Sequence, residues 1–118
     1  SIDHISAVTL AVRDMAESVE FYERLGLQVV YGGPHAPFST MHTGQSIINL
    51  RQAPEGSGNR WARVILRIQG VDALYQHLRA QGLQPSPPKN AAWGERYCEI
   101  SDPDGDVISF AELLDAGQ

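Results

Sequence analysis

The side chains of this sequence that can move a proton or hold a metal are few and scattered. Four histidines occur, His4, His35, His42 and His77, and none stands at the HxH or HxxxH spacing that lets one element supply two metal ligands. Cys98 is the single cysteine, so neither an intrachain disulfide nor a cysteine-based zinc motif can be built. Recognition chemistry is better represented. Phe38, Trp61, Trp93 and Tyr97 offer aromatic rings for stacking. Arg63 offers a planar cation for a carboxylate or phenolate, and Asn49 and Ser109 are neutral hydrogen-bonding handles. His42 and Glu99 are the acid–base candidates that two separate strands would have to bring together.

Other motifs fail on context. Gly56-Ser57-Gly58-Asn59-Arg60 has no strand feeding it and no third glycine, so it is no dinucleotide fingerprint. Gly44-Gln45-Ser46-Ile47-Ile48 lacks the second glycine of a nucleophile elbow. Asp102-Pro103-Asp104-Gly105-Asp106 is acidic enough for calcium, but its twelfth position is Leu113 and strands flank it, so it reads as a turn.

The elements that must position these residues are written twice. Ile5–Val12 alternates and reads as a strand. Asp14 opens a helix, with Glu17 at capping-box spacing, Met15, Val19 and Tyr22 on one stripe, and Gly26 beyond its end. Strands follow at about 27–31, 38–43 and 46–52, and a Gly/Pro/Ser-rich stretch occupies 53–60. The pattern then restarts with a strand over 61–68, a helix over 71–81 closed by Gly82, a proline-rich stretch with a short edge strand, and strands over 96–101 and 106–112. A shift of 56 residues lays Leu10 on Leu66, Val12 on Ile68, Tyr22 on Leu78 and Gly26-Leu27-Gln28 on Gly82-Leu83-Gln84. The fold class expected is therefore α+β: one domain of two βαβββ modules, about residues 5–52 and 61–112, with helices on the outside of curved sheets.

Period-two alternation assigns the faces. Val8, Leu10, Val12, Ile48, Leu50, Val64, Leu66, Ile68, Cys98, Ile100, Ile108 and Phe110 should meet the helices. Ala7, Thr9, Ala11, Ile47, Asn49, Arg51, Arg63, Ile65, Arg67, Tyr97, Glu99, Val107, Ser109 and Ala111 should face the other way. If each sheet curves, that second face is a cup with polar handles, the form of a small-molecule site.

Composition narrows the class of partner. The chain of 118 residues has nine Lys and Arg against fourteen Asp and Glu, a formal charge of -5, and no Lys/Arg run. Neither nucleic acid nor an anionic membrane is the expected partner. No apolar run approaches the ~20 residues of a bilayer span. No signal peptide is evident, and the lone cysteine suits a reducing, cytoplasmic location.

Asp14, the run Ser18-Val19-Glu20-Phe21-Tyr22, the doubled unit and the late Asp102-Pro103-Asp104-Gly105 turn together resemble the vicinal oxygen chelate superfamily, over nearly the whole chain. That superfamily includes glyoxalases, extradiol dioxygenases and bleomycin-resistance proteins. The resemblance implies a divalent metal in the catalytic members, with its four ligand positions falling here on Ala7, Asn49, Arg63 and Ser109. None is a ligand of the required kind, so no cofactor is expected. The local match is nearest to the metal-free, bleomycin-binding branch. Trp93-Gly94-Glu95-Arg96-Tyr97 looks like that branch's tryptophan–glycine–arginine strand, with Glu95 as an extra residue, and Gly70-Val71-Asp72-Ala73-Leu74-Tyr75 looks like its second-helix start. That resemblance implies antibiotic sequestration by a homodimer.

Three classes of function follow as expectations, the last a module whose cup is vestigial and whose role is protein association. The first is metal-independent capture of an aromatic or polycyclic small molecule, such as an antibiotic. Phe38, Trp61, Trp93 and Tyr97 would stack on it, and Arg63, Asn49 and Glu99 would orient it, with His42 and Ser109 nearby. The alternative is a glyoxalase-type lyase, isomerase or dioxygenase, using a rebuilt metal site or His42 and Glu99. Each residue also has a structural reading. A tryptophan beside a loop can close a sheet edge, Asn49 can satisfy backbone, and Arg63 and Glu99 can be an ion pair.

Overall fold

In a computed structural model that describes residues 1–56, 58 and 63–114, Asp14 caps the first helix: its Oδ1 accepts the Glu17 amide at 3.1 Å. The reciprocal half of the capping box does not form, because the Glu17 carboxylate pairs with Arg13 at 3.1 Å. The helix α1 (Met15–Leu25) ends at Gly26, whose φ of 108° places it in the left-handed region that an L side chain disfavours. Around it run β1 (Val8–Val12), β2 (Gln28–Tyr31), β3 (Phe38–Thr43) and β4 (Ser46–Gln52). The second half gives β5 (Arg63–Arg67), α2 (Val71–Ala80), β6 (Lys89–Asn90), β7 (Glu95–Ser101) and β8 (Val107–Leu113). These are the two βαβββ modules of an α+β fold. The chain divides into two units, Ser1–Asn59 and Arg60–Gln118.

Both units have the same topology. The first sheet is ordered β1-β4-β3-β2 and the second β5-β8-β7-β6. The first strand of each module pairs in parallel with the last, Leu10 opposite Leu50 and Leu66 opposite Phe110, and the remaining pairs are antiparallel. Each helix packs on its own sheet, α1 on β2 and β4, α2 on β7 and β8. The apolar stripe is sealed there: Met15, Val19 and Tyr22 of α1 meet Leu10, Val12, Met41 and Leu50 in a core with at most 2% exposure. Burying each such side chain contributes about 1.5–3 kcal/mol. In the second unit Val71 and Leu78 bury with Cys98, Ile108 and Phe110.

The 56-residue repeat holds through strand and helix, placing Met15 on Val71. It widens to 60 at the last strand, where the counterpart of Gln52 is Glu112 and that of Asn49 is Ser109. The proline-bearing stretch after α2 is longer than its counterpart after α1 and accounts for three of the four extra residues, since Thr40 corresponds to Glu99. The turn before β8 adds the fourth.

The alternation is followed closely, with four departures, and Val64, Leu66 and Ile68, also assigned to the core, are only half-buried. Ile48, Leu50, Cys98, Ile100, Ile108 and Phe110 are buried as expected. Val8, assigned to the core, is 39% exposed because it begins an edge strand. Ala11, Ser109 and Ala111, assigned away from the helices, are nevertheless buried. Ala53 and Gly58 pack back on β1, where their amides reach Val12 O and Ala11 O. Ser109 and Ala111 are small residues on the central strand β8, overlaid by longer side chains from β5 and β7.

The β2–β3 connection is the tightest point of the first unit. Gly32 has a φ of 78°, and a Cβ there would lie 2.2 Å from Phe38 O and 2.8 Å from Ser39 Oγ. Ser39 is buried, and its Oγ serves both the Gly33 amide and the Gly33 carbonyl. Gly32→Ala therefore combines left-handed strain with displacement of β3 backbone. We expect it to lower the unfolding free energy by about 2–4 kcal/mol, against about 1–2 kcal/mol for Gly26→Ala, where the added Cβ meets nothing. Urea unfolding of both variants measures the difference, and equal losses would show that the loop moves aside.

Candidate functional site

With α2 on one side of the second sheet, the odd-numbered side chains of β5, β7 and β8 form the opposite face. Three of the expected site residues meet there. Arg63 donates to Glu99 Oε2 at 2.8 Å, and Ser109 Oγ donates to the same oxygen at 3.2 Å. The register explains the meeting, since Glu99 lies directly opposite Ser109 across β7 and β8. Glu99 also closes one side of an open depression of about 300 Å³ bordered by Ser86, Ser101 and Val107. Ser86 Oγ accepts the Glu99 amide there.

Further along the same face Trp93 and Tyr97 stack, with ring centroids 5.9 Å apart and planes inclined by 28°. Their association follows from the local backbone. Glu95 and Tyr97 share a face of β7 by alternation. Gly94, with φ 91°, turns the chain so that Trp93 folds back over the same strand. The Trp93 indole N–H donates to Glu95 Oε1 at 2.8 Å, and Arg67 donates to Glu95 Oε2 at 2.9 Å. Lys89, opposite Tyr97 in register on β6, holds its ammonium 5.5 Å from the Tyr97 ring. Trp93 is still 68% exposed, a large ring pinned at one edge and open to solvent.

The Arg96 of the tryptophan–glycine–arginine strand leaves this face altogether. The extra Glu95 takes the outward position, and Arg96 turns to the helix side, where its guanidinium donates to both oxygens of Asp72 at 2.9 and 2.8 Å and to Asn90 at 3.0 Å. It holds the start of α2.

In the first unit, Asn49 is the centre of a neutral ladder. Its Oδ1 accepts from Thr40 at 2.8 Å and its Nδ2 donates to Thr9 at 3.4 Å. The register, Thr9 opposite Asn49 opposite Thr40, makes the ladder. Thr9 was legible on that face from alternation. Thr40 was not, because its partner depends on which strands pair. Phe38 and His42 share the face from β3, both half-buried, with His42 Nδ1 3.4 Å from Gly44 O. His42 thus sits in the first unit and Glu99 in the second, each with its own neighbours. Trp61 lies outside the described residues.

The four positions that the superfamily resemblance assigns to a divalent metal do not fit one. Ala7 has no donor atom, and Asn49 has its amide engaged by two threonines. Arg63 is a permanent cation, and Ser109 gives its hydroxyl to Glu99. Among the described residues no group of three or more His, Cys, Asp or Glu is placed to hold a metal ion, and no helix is long and apolar enough to cross a membrane. The Asp102 carboxylate is taken up by its own turn, accepting the Asp104 and Asp106 amides at 2.9 and 2.8 Å.

These features meet in comparisons with known proteins. Residues 1–110 match the family model described as Glyoxalase/Bleomycin resistance protein/Dioxygenase superfamily. The chain belongs to that superfamily. A bleomycin resistance protein of Geobacillus stearothermophilus is 30% identical over 129 aligned positions, covering 92% of this chain and 96% of its own. A bleomycin resistance determinant encoded on transposon Tn5 superposes with a TM-score of 0.79 at 22% identity, covering 94% of this chain and 98% of that one. A bleomycin-binding protein complexed with bleomycin gives 0.78 at 22% identity, with the same coverages. The solved structures establish the likeness of fold.

Electrostatics of the face are testable. Hydrogen bonds from Trp93 and then Arg67 hold the Glu95 carboxyl below its ordinary 4.5. A lowered native value favours the folded, paired form above the ordinary range and loses that advantage as pH falls through the lowered value. The Trp93 indole N–H resonance should therefore stay constant down to its ordinary carboxyl range and shift only below it. A midpoint at or above 4.5 would mean the contact does not persist in solution. Cys98 is the opposite case. Burial, with Asp72 and Glu99 adding, pushes its thiol up to about 11. Ellman's reagent at about pH 8 should leave native Cys98 unmodified and label it only on unfolding. Rapid labelling of the native protein would contradict the packed position.

Proposed function

We propose that this protein binds and sequesters an aromatic or polycyclic small molecule of the antibiotic kind, without a metal. The observation that carries the reading is the Trp93–Tyr97 stack, one ring largely exposed and fixed by Glu95 on the face away from α2. A ring held in place offers a stacking surface without first having to be ordered. The bleomycin resistance relatives support the antibiotic class. Arg63, Glu99 and Ser109 would line the same face, while Phe38, His42 and Asn49 are the candidates on the first unit and Trp61 remains one from the sequence. By the resemblance and the lone cysteine, the working form is a cytoplasmic homodimer of this one domain.

The acid–base alternative is less well served. Glu99 is occupied by Arg63 and Ser109, and the superfamily's metal positions carry the wrong donors. Calorimetric titration with a panel of aromatic antibiotics including bleomycin tests the reading. Trp93→Ala should weaken a binding member at least about tenfold, equivalent to ~1.4 kcal/mol, with the fold intact by circular dichroism. An unchanged Kd would remove Trp93 from the site. Elemental analysis of protein purified without chelator should find well under about one equivalent of transition metal, and EDTA should leave the melting temperature unmoved. Near-stoichiometric metal would make His42 and Glu99 the next substitutions.

A further inference from the structure

We infer that the ligand of the face away from α2 is a planar aromatic carrying a negative charge, with Lys89 as the residue that selects it. This rests on the proposed function and adds the charge class of what binds. The argument is a pairing count on one sheet face. Among the described residues its two carboxylates are both paired with arginines: Glu95 takes Trp93 on Oε1 and Arg67 on Oε2, and Glu99 takes Arg63 and Ser109 on Oε2. Arg63 and Arg67 are neutralised in the same pairs, at 2.8 and 2.9 Å. Lys89 is left. Among the described residues no carboxylate lies in ion-pair range of it, and its ammonium stands 5.5 Å from the centroid of Tyr97, the ring against which Trp93 stacks.

The face is thus net positive on a chain whose formal charge is -5. The contrast is local. Asp14, Glu17, Glu20, Glu23 and Asp72 sit on or beside the helices, and Asp102, Asp104 and Asp106 in a turn. A cationic ligand on the Trp93–Tyr97 rings would meet Lys89, with the carboxylates beside it already neutralised by Arg63 and Arg67. An anionic one places its charge against Lys89 while its ring stacks, and water exclusion by the rings strengthens that pairing.

Three naphthalenes of one shape test this: 2-naphthoate, 2-naphthylmethylammonium and neutral 2-naphthalenemethanol, each titrated while the Trp93 indole N–H resonance is followed. The expected result is that the carboxylate binds about tenfold tighter than the ammonium, with the alcohol between them. Raising salt should narrow the gap, since exposed charges are screened within about 8 Å at physiological ionic strength. Lys89→Gln should erase most of the preference and Lys89→Glu reverse it. Lys89 is exposed on a two-residue edge strand, so both variants should fold. If the alcohol and the ammonium bind as tightly as the carboxylate and all three are weakened by Trp93→Ala, the charge inference falls and the aromatic reading stands. If the alcohol binds without regard to Trp93, or no probe gives a saturable shift, both fall.

Discussion

In each unit a side chain at the end of the central strand reaches into the first turn of the helix. Gln52 Oε1 accepts the Met15 amide at 3.2 Å, and Glu112 Oε1 accepts the Val71 amide at 3.0 Å. The first amides of a helix have no partner within it, so an acceptor fixed to the sheet both satisfies one and ties the helix down. The two ties are tuned differently. α1 has the Asp14 carboxylate as its cap and takes a neutral glutamine from the sheet. α2 starts at Gly70 with no side-chain cap, and there the sheet supplies a carboxylate, which suits the positive end of the helix. Arg96 adds a second tie through Asp72. One carboxylate thus serves each helix start, and each helix is held to one face of its sheet.

The free faces have diverged while their registers have not. The positions of Thr9, Asn49 and Thr40 in the first sheet are those of Ile65, Ser109 and Glu99 in the second. One set makes a neutral hydrogen-bonded ladder. The other makes a charged cluster in which Arg63 closes on Glu99 and Ser109. Cross-strand pairing decides which residues can meet, and side-chain chemistry decides what they make of it. The same doubled backbone presents two different surfaces.

This division also explains what was legible from the residues alone. Helix starts and core faces are local properties: Asp14 and its spacing to Glu17, or the alternation through Cys98 and Ile100, can be read along the chain. The burial of Ser109 and Ala111 could not be, because it comes from long neighbours on two other strands. Nor could the fate of Arg96. Within its own stretch it follows Trp93 and Gly94 much as the resemblance leads one to expect, yet Glu95 stands between and takes the outward place, so Arg96 falls on the helix side. A one-residue change along a strand exchanges its faces, and only the paired structure shows which side chain inherits the outward place.

Exposed ion pairs such as Arg63–Glu99 and Arg67–Glu95, with half-exposed guanidinium groups, contribute only about 0–1 kcal/mol to folding. Stability is therefore a weak reason for four charged side chains on one face. Their physical effect is on the surface itself. Each pair fixes two long, rotamer-rich side chains, and the Glu95 pair also fixes the Trp93 indole through a second carboxylate oxygen. A surface ordered in advance loses less conformational freedom when a ligand arrives. The same pairing occupies Glu99 and keeps the Arg63 cation at a position where a divalent ion would need a donor. The interactions that order this face thus also engage the side chains at two of the positions the superfamily resemblance assigns to a metal, Arg63 and Ser109.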